Sequence, residues 1–335
     1  MKLFEIQEFG IDKLAVVDKE TPKPGPGQVL VKMLAASLNY RDLMVVQGLY
    51  NPKMRLPMVP LSDGAGIVEE IGSGVTRVKP GDRVCGCFMQ AWIDGPPTKE
   101  KGTSALGGAI DGVLRQYAVF SEQGVVHAPP SLSDEEAASL PCAAVTAWHA
   151  LFENASAVPG QTVLMQGTGG VSIFALQLAR AAGLRTIVTS SSDEKLSRAK
   201  ELGASETVNY KREPNWEEGV RKLTGGEGVD NIIEVGGSDT LPRSLKAVRT
   251  GGLISVIGVL GGGQPTVSPT GILMNSVRVQ GIYVGSRAMF EKLTRAIEFH
   301  SIKPVVDRVF PWTEIKEALH YMEKQQHLGK ICLRF

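Results

Sequence analysis

The chain is poor in the residues that staple or anchor a protein. It has four cysteines and five histidines in 335 residues. Cys85, Cys87, Cys142 and Cys332 do not form a metal-ligand quartet, and a C-x-C pair makes a poor disulfide. All four are expected as reduced thiols. The histidines show no metal spacing either. An excess of one charge is also missing. Thirty-six basic residues face 35 acidic ones, a net charge of +1, which leaves no electrostatic case for nucleic acid or an anionic membrane as a partner. No apolar run reaches the ~20 residues of a membrane span. The first residues, Met1 to Gln7, lack the apolar region of a secretory signal. These absences predict a cytoplasmic chain with no membrane and no nucleic-acid partner.

What is present fits a soluble globular protein: 43% apolar and 21% charged residues, and enough length for two domains. No internal repeat or low-complexity segment is seen. The most informative feature is the turn Gly167-Thr168-Gly169-Gly170-Val171-Ser172. An apolar run rich in β-formers, 162–165, precedes it. An apolar helical stretch, 173–182, follows and is stopped by Gly183. A glycine turn in that setting lets backbone approach a ligand closely. It also aims the free N–H groups of a helix at a pyrophosphate. Ser172 stands where the third glycine of G-x-G-x-x-G belongs and is small enough for helix–strand packing.

From about 153 to 284, strand and helix patterns alternate. Strands are expected over 162–165, 185–189, 206–208, 231–235, 253–257 and 277–284, and helices over 173–182, 194–202, 216–223 and 241–248. Gly183 and Gly203 sit where helices should end, and Asp193 is placed to cap the second helix. Six short apolar strands with intervening helices predict a parallel, doubly wound α/β sheet made of two mononucleotide-binding halves.

The first 130 residues have few helix patterns and dense Gly/Pro punctuation. Strands over 28–35, 66–71 and 83–87 suggest a largely antiparallel β domain, with 94–112 as a surface loop. Helices over 288–299 and 315–324 and a last strand over 330–335 follow the sixth strand. That last strand needs a sheet to join, so the nucleotide-binding segment reads as an insertion within the β domain.

Nearly the whole chain resembles the medium-chain dehydrogenase/reductase superfamily. The match lies in Pro24-Gly25-Pro26-Gly27-Gln28-Val29, Gly64-Ala65-Gly66-Ile67-Val68, Val78-Lys79-Pro80-Gly81-Asp82-Arg83-Val84 and Leu140-Pro141-Cys142 through Thr146-Ala147-Trp148. The glycine turn, Ala199-Lys200-Glu201-Leu202-Gly203-Ala204 and Gly329-Lys330 complete it. The resemblance implies a Rossmann-type doubly wound parallel sheet inserted in a GroES-like β domain. The expected division is 1–135 as the GroES-like catalytic domain, 136–284 as the nucleotide domain and 285–335 as the return.

Zinc alcohol dehydrogenases of that superfamily hold a catalytic metal with Cys, His and Cys. Here Asn39 and Asp63 stand at the first two positions and Cys142 at the third, a poor donor set for zinc. The structural four-cysteine lobe is missing as well, so no metal is expected. Cys142 then reads as a small buried hydrophobe. The pattern Asn39-Tyr40-x-Asp42 resembles the zinc-free branch of quinone oxidoreductases, alkenal/one reductases and enoyl reductases. This branch implies hydride transfer from NADPH to a quinone or an enone, with carbonyl-side donors stabilising the developing enolate.

By that resemblance Asn39 is a neutral donor near the nicotinamide, the alternative being a turn-stabilising role. Tyr50 matches a proton-donating tyrosine of enoyl reductases, or else is a loop aromatic. Tyr40 and Arg41 would line the substrate end, with Arg41 equally readable as a surface ion-pair partner. Asp42 reads as structural, Asp63 as a hydrogen-bond acceptor and His149 as a core histidine.

For the cofactor, Ser190 stands at the position of the acid that NADH enzymes use, with Ser191 next and Lys195 five residues on, and serine hydroxyls with an ammonium suit a 2′-phosphate. Tyr210 matches the NADPH-binding tyrosine of quinone oxidoreductases. Thr146, Val235, Gly236, Ile257, Gly258, Ser286 and Arg287 resemble nicotinamide-ribose and pyrophosphate contacts. An apolar edge strand over 277–284 predicts a homodimer, unless a segment such as 261–271 covers it. Two other functions stay open: an NADP-dependent alcohol or carbonyl dehydrogenase with an atypical metal site, and a non-catalytic NADPH-binding sensor or structural protein.

Overall fold

The computed structural model describes residues 1–258 and 267–335. Most of the 261–271 segment considered as an edge cover lies outside them. The chain forms two units, Met1–Val145 with Val284–Phe335, and Thr146–Tyr283.

The first unit opens with a ribbon of β1 (Lys2–Glu5) and β2 (Ala15–Asp18). Its main sheet is built on β3 (Gln28–Ser37), a ten-residue strand. β3 pairs antiparallel with β4 (Asp63–Ile71), and β4 with β5 (Arg83–Gly86). β6 (Tyr117–Ser121) also lies along β3, and β7 (Val125–His127) lies beside β5. Val29, Val31, Met33, Val68 and Phe120 from these strands are buried in one core. Burying such side chains stabilises by about 1.5–3 kcal/mol each.

The second unit holds a six-stranded, all-parallel sheet. Its strands are β8 (Thr162–Gln166), β9 (Arg185–Ser190), β10 (Glu206–Asn209), β11 (Val229–Glu234), β12 (Val248–Val256) and β13 (Arg278–Gly281). Their spatial order is β10-β9-β8-β11-β12-β13. The order reverses between β8 and β11, the switch point at whose carboxyl end such sheets bind ligands. Gly183 and Gly203 follow their helices with φ of +74° and +102°, as C′ residues do. The chain then returns to the first unit, where β14 (Val306–Pro311) runs parallel to β15 (Lys330–Arg334) and β15 pairs antiparallel with β3. The last strand therefore joins the β domain, as the sequence requires.

Three local expectations need correction. The cap of the helix Asp193–Glu201 is Ser192, whose hydroxyl accepts the Lys195 N–H at 3.3 Å. Asp193 instead faces the Asn209 amide at 2.7 Å and Arg212. The 94–112 segment is only half a surface loop: Ala105 and Leu106 are buried, because their backbone pairs with Phe88 and Met89. The edge strand is four residues rather than eight, and all four of its residues are exposed.

Candidate active site

In the first unit, strand register brings three polar side chains together. Ser37, the last residue of β3, lies opposite Asp63 on one side and Cys332 on the other. The Leu38 N–H donates to the Ile331 carbonyl at 3.0 Å. Asn39 therefore leaves β3 where β4 begins with Asp63 and β15 begins with Lys330. The Lys330 ammonium, 3% exposed, donates to the Leu38 carbonyl at 2.7 Å and to Asn39 Oδ1 at 2.6 Å. It stands 3.9 Å from Asp63 Oδ2. Asp63 accepts the Ser62 hydroxyl at 2.7 Å and the Cys142 N–H at 3.1 Å, so its sequence reading as an acceptor describes its bonds. Burial pushes the Asp63 carboxyl up, and Lys330 is the largest opposing influence.

Just before this pair, Leu61 is buried with φ +70°. A left-handed leucine costs roughly 1–2 kcal/mol.

Asn39 is the N-cap of the helix Tyr40–Val46, and its N–H donates to Asp42 Oδ2 at 2.8 Å. Asp42 is thus structural and fully buried, and burial raises its pKa to about 6. Arg41 is not a surface residue. Its side chain is 11% exposed, pairs with Asp42 at 3.6 Å and donates to the Leu106 carbonyl at 2.9 Å. Its guanidinium lies 4.7 Å from the Phe88 ring centroid and 5.2 Å from that of Tyr50. Tyr50 is 41% exposed, and Tyr40 is half-buried against the core.

A zinc ion does not fit the Asn39–Asp63–Cys142 set. The Lys330 cation already stands against two of the three side chains. The Cys142 thiol must ionise to ligate, whereas burial, with Asp63 beside it, pushes its pKa up. Among the described residues, no group of three or more His, Cys, Asp or Glu is placed to hold a metal.

In the second unit, the glycine turn follows β8 directly. Gly167 has φ +69°, and Gly169 is the N-cap of the helix Gly170–Ala181. A Cβ placed on either glycine would meet nothing within 4 Å. Open space beside a helix N-terminus is the cradle a pyrophosphate needs, so the turn fits a nicotinamide dinucleotide. Ser172 hydrogen-bonds the Gln166 carbonyl at 2.6 Å, which ties the turn to its strand.

Gln166, which the sequence reading missed, extends the cradle. Its Nε2 donates to Glu234 Oε2 and to the Ser244 hydroxyl, both at 2.8 Å. Its Oε1 accepts the N–H groups of Val235 and Gly236 at 3.3 and 3.4 Å. Gly258 packs on the Val235 backbone, where a Cβ would lie 2.5 Å from the carbonyl oxygen. The neighbouring Ile257 N–H donates to the Glu234 carbonyl at 2.8 Å. The 167–171, 235–236 and 257–258 turns thus follow adjacent strands. Ser190 ends β9, and its carbonyl accepts the Tyr210 N–H at 3.1 Å. That bond sets Tyr210 beside Ser190, with Ser191 next and Lys195 in the following helix.

Thr146, Ser286 and Arg287 are the remaining residues that the resemblance assigns to the cofactor. Thr146 is buried in the helix Val145–Trp148, and His149 is half-buried just after it. Ser286 and Arg287 belong to the first unit. The Ser286 hydroxyl caps the helix Arg287–His300 through the Met289 N–H at 3.2 Å. Arg287 already pairs with Gln123 and with Glu291, the latter at 3.3 Å. The available signals for these residues were weak: a lone glutamine closing the apolar run 162–165, and the Gly329-Lys330 pair, which carried the family resemblance but no site role.

The comparisons with known proteins agree with this architecture. Residues 25–130 match the family described as alcohol dehydrogenase GroES-like domain, and residues 170–299 match zinc-binding dehydrogenase. The chain is similar to a zinc-type alcohol dehydrogenase-like protein of Schizosaccharomyces pombe, 48% identical over 332 residues, covering 97% of this chain and 96% of that one. It is similar to a quinone oxidoreductase of Rattus norvegicus, 29% identical over 343 residues, covering 99% and 97%. Among solved structures it resembles an NAD-dependent alcohol dehydrogenase, 33% identical with a TM-score of 0.91 over the full length of both chains. The chain belongs to the medium-chain dehydrogenase/reductase superfamily and is an oxidoreductase of that group.

Proposed function

We propose that this protein is a zinc-independent, NADPH-dependent reductase of quinones or of carbon–carbon double bonds conjugated to a carbonyl. The observation that carries the reading is the Lys330 ammonium on Asn39 and beside Asp63, at the positions where zinc-dependent relatives would bind metal. When bound, the nicotinamide supplies a hydride. Without a Lewis acid, a simple alcohol has no partner to stabilise its alkoxide, a contribution of several kcal/mol in zinc enzymes. An enone or quinone spreads the incoming negative charge over its own π system. Neutral donors at the carbonyl oxygen then suffice, and Asn39 and Tyr50 are the residues assigned to that role. Arg41, fixed between Phe88 and Tyr50, holds the Tyr50 ring in place.

The preference for NADPH rests on Ser190, Ser191, Lys195 and Tyr210, which offer hydroxyls and a cation in place of an acid. Charge-assisted hydrogen bonds to phosphate are the strong kind. Lys195→Ala is expected to weaken NADPH by about 10-fold or more while leaving NADH nearly unchanged. Calorimetry with both cofactors checks this, and equal losses would argue against a 2′-phosphate contact.

The names of the alcohol dehydrogenase relatives favour a second reading, an NADP-dependent alcohol or carbonyl dehydrogenase. One experiment separates the two. Chelator-dialysed protein, shown metal-free by elemental analysis, is assayed with NADPH against quinones and enones and with NADP against ethanol and benzyl alcohol. Faster alcohol oxidation overturns the proposal. Cofactor binding without turnover of any acceptor would point to the sensor or structural role.

A further inference from the structure

We propose that Arg212 is a specificity-determining residue for the cofactor: it neutralises Asp193, the first carboxylate after β9, so that a 2′-phosphate meets no uncompensated negative charge there. This inference rests on the NADPH reading of Ser190, Ser191, Lys195 and Tyr210.

An acid at the end of the second strand selects NADH, because a carboxylate accepts the ribose 2′-OH and repels a phosphate in its place. Ser190 takes that position here, yet Asp193 stands only three residues on and opens the helix Asp193–Glu201. The chain carries Asp193 back toward the strand end. The Ser192 N–H donates to Ser190 Oγ at 3.3 Å and tightens the turn. Asn209 lies opposite Ser190 in the parallel pairing of β9 with β10, and its Nδ2 donates to Asp193 Oδ1 at 2.7 Å. The carboxylate is thus tied to the residue that faces Ser190 across the sheet. Its side chain is 50% exposed, so its charge reaches a ligand that arrives at this strand end.

Two groups occupy its two oxygens. Asn209 holds Oδ1, and the Arg212 guanidinium pairs with Oδ2. The loop after β10 delivers the arginine. The Arg212 N–H donates to the Asn209 carbonyl at 3.1 Å, and the Lys211 N–H donates to Asn209 Oδ1 at 3.0 Å. One asparagine therefore both orients the carboxylate and turns the chain that carries its counter-ion. An ion pair this exposed does little for stability. Its consequence is the local charge. A phosphate monoester carries nearly two negative charges at pH 7, and without Arg212 it would face a bare carboxylate. NADH brings no such charge, and a released Asp193 is free to accept its ribose hydroxyl.

The test is a mutant cycle read by calorimetry with NADPH and NADH, on the parent, Arg212→Ala, Asp193→Asn and the double variant. All the altered side chains are exposed, and each variant should melt with the parent. Arg212→Ala should weaken NADPH about 10-fold at low salt and leave NADH unchanged or tighter. That loss should shrink at high salt, because exposed charges are screened. A merely structural role for Arg212 would weaken both cofactors alike at any salt. Asp193→Asn alone should keep or raise the preference for NADPH. The double variant should recover NADPH affinity to within about threefold of the parent, because the charge that Arg212 neutralises is gone. A double variant as weak for NADPH as Arg212→Ala would show that Arg212 acts on the phosphate itself, and it would overturn the proposal. So would an Arg212→Ala variant with the parent's preference intact. A parent that binds NADH as tightly as NADPH removes the NADPH reading and this inference with it. A parent that prefers NADPH, with no rescue in the cycle, removes this inference alone.

Discussion

Two single residues carry predictions of opposite kind. Tyr50 is exposed and lies over Arg41, so Tyr50→Phe keeps the ring and its cation–π contact while removing the hydroxyl. One positioned donor is worth roughly 2.7–4 kcal/mol. Tyr50→Phe is therefore expected to lower kcat by about 100-fold or more with the Kd for NADPH unchanged. A kcat equal to the parent's would remove Tyr50 from the reaction and leave the reaction class standing. Asp42 instead makes a prediction about stability. Its pKa is raised from 3.8 to about 6, chiefly by burial. Between those values the folded state holds a proton that the unfolded state has released. The stability from protonated Asp42 is thus full below about pH 4 and lost as pH rises through about 6, a change of about 3 kcal/mol. Asp42→Asn stays neutral throughout and should flatten that decline. Urea unfolding of both proteins at pH 4.5, 5.5 and 6.5 measures it, and parallel curves would refute the assignment. The neighbours Asn39 and Asp63 were legible in the sequence because they stand at recognisable positions. The part played by Lys330 was not, because nothing in a linear sequence says that residue 330 faces residue 39 until the pairing of Ser37 with Cys332 sets the register.

At the scale of elements, the strand–turn–helix unit is where sequence and structure agree most closely. Local chemistry determines it: an apolar run, glycines that permit φ of +69° at Gly167, and a helix that begins within the turn. The 94–112 segment was harder to read because its polar composition describes only its first half. Leu106 is buried by long-range pairing with Phe88, which composition does not report. Gly169 allows a clean separation of folding from binding. Its φ of −76° suits any residue, and its Cβ position is open. Gly169→Val should therefore shift Tm by only a few degrees, since a poorer N-cap costs about 1 kcal/mol at most. The same side chain would occupy the pyrophosphate cradle, so NADPH affinity should fall by about 10-fold or more. A variant that melts normally and binds NADPH as tightly as the parent would place the dinucleotide elsewhere.

At the scale of the whole molecule, the open question is what meets β13. Among the described residues its one strand partner is β12, and its Arg-Val-Gln-Gly sequence is exposed throughout. Val279 is 38% exposed and Tyr283 43%, while Leu273 and Met274 nearby reach 76% and 73%. An edge of that kind is a template for another strand. A two-fold axis beside it would join two six-stranded sheets into one, with the same patch on both partners. Hydrogen bonding indicates which groups would pair. The Ile282 N–H donates to the Val256 carbonyl. By strand alternation the Gln280 N–H faces the same side, and those of Val279 and Gly281 face the free edge. Light scattering at micromolar concentration is therefore expected to give a dimer, twice the 35.9 kDa chain mass. Val279→Pro deletes one outward N–H and is tolerated on an edge whose donor faces away from its own sheet. The variant should scatter as a monomer with its cooperative melt retained. A parent protein that is monomeric, or a Val279→Pro variant that remains fully dimeric, would show that this edge is not the interface.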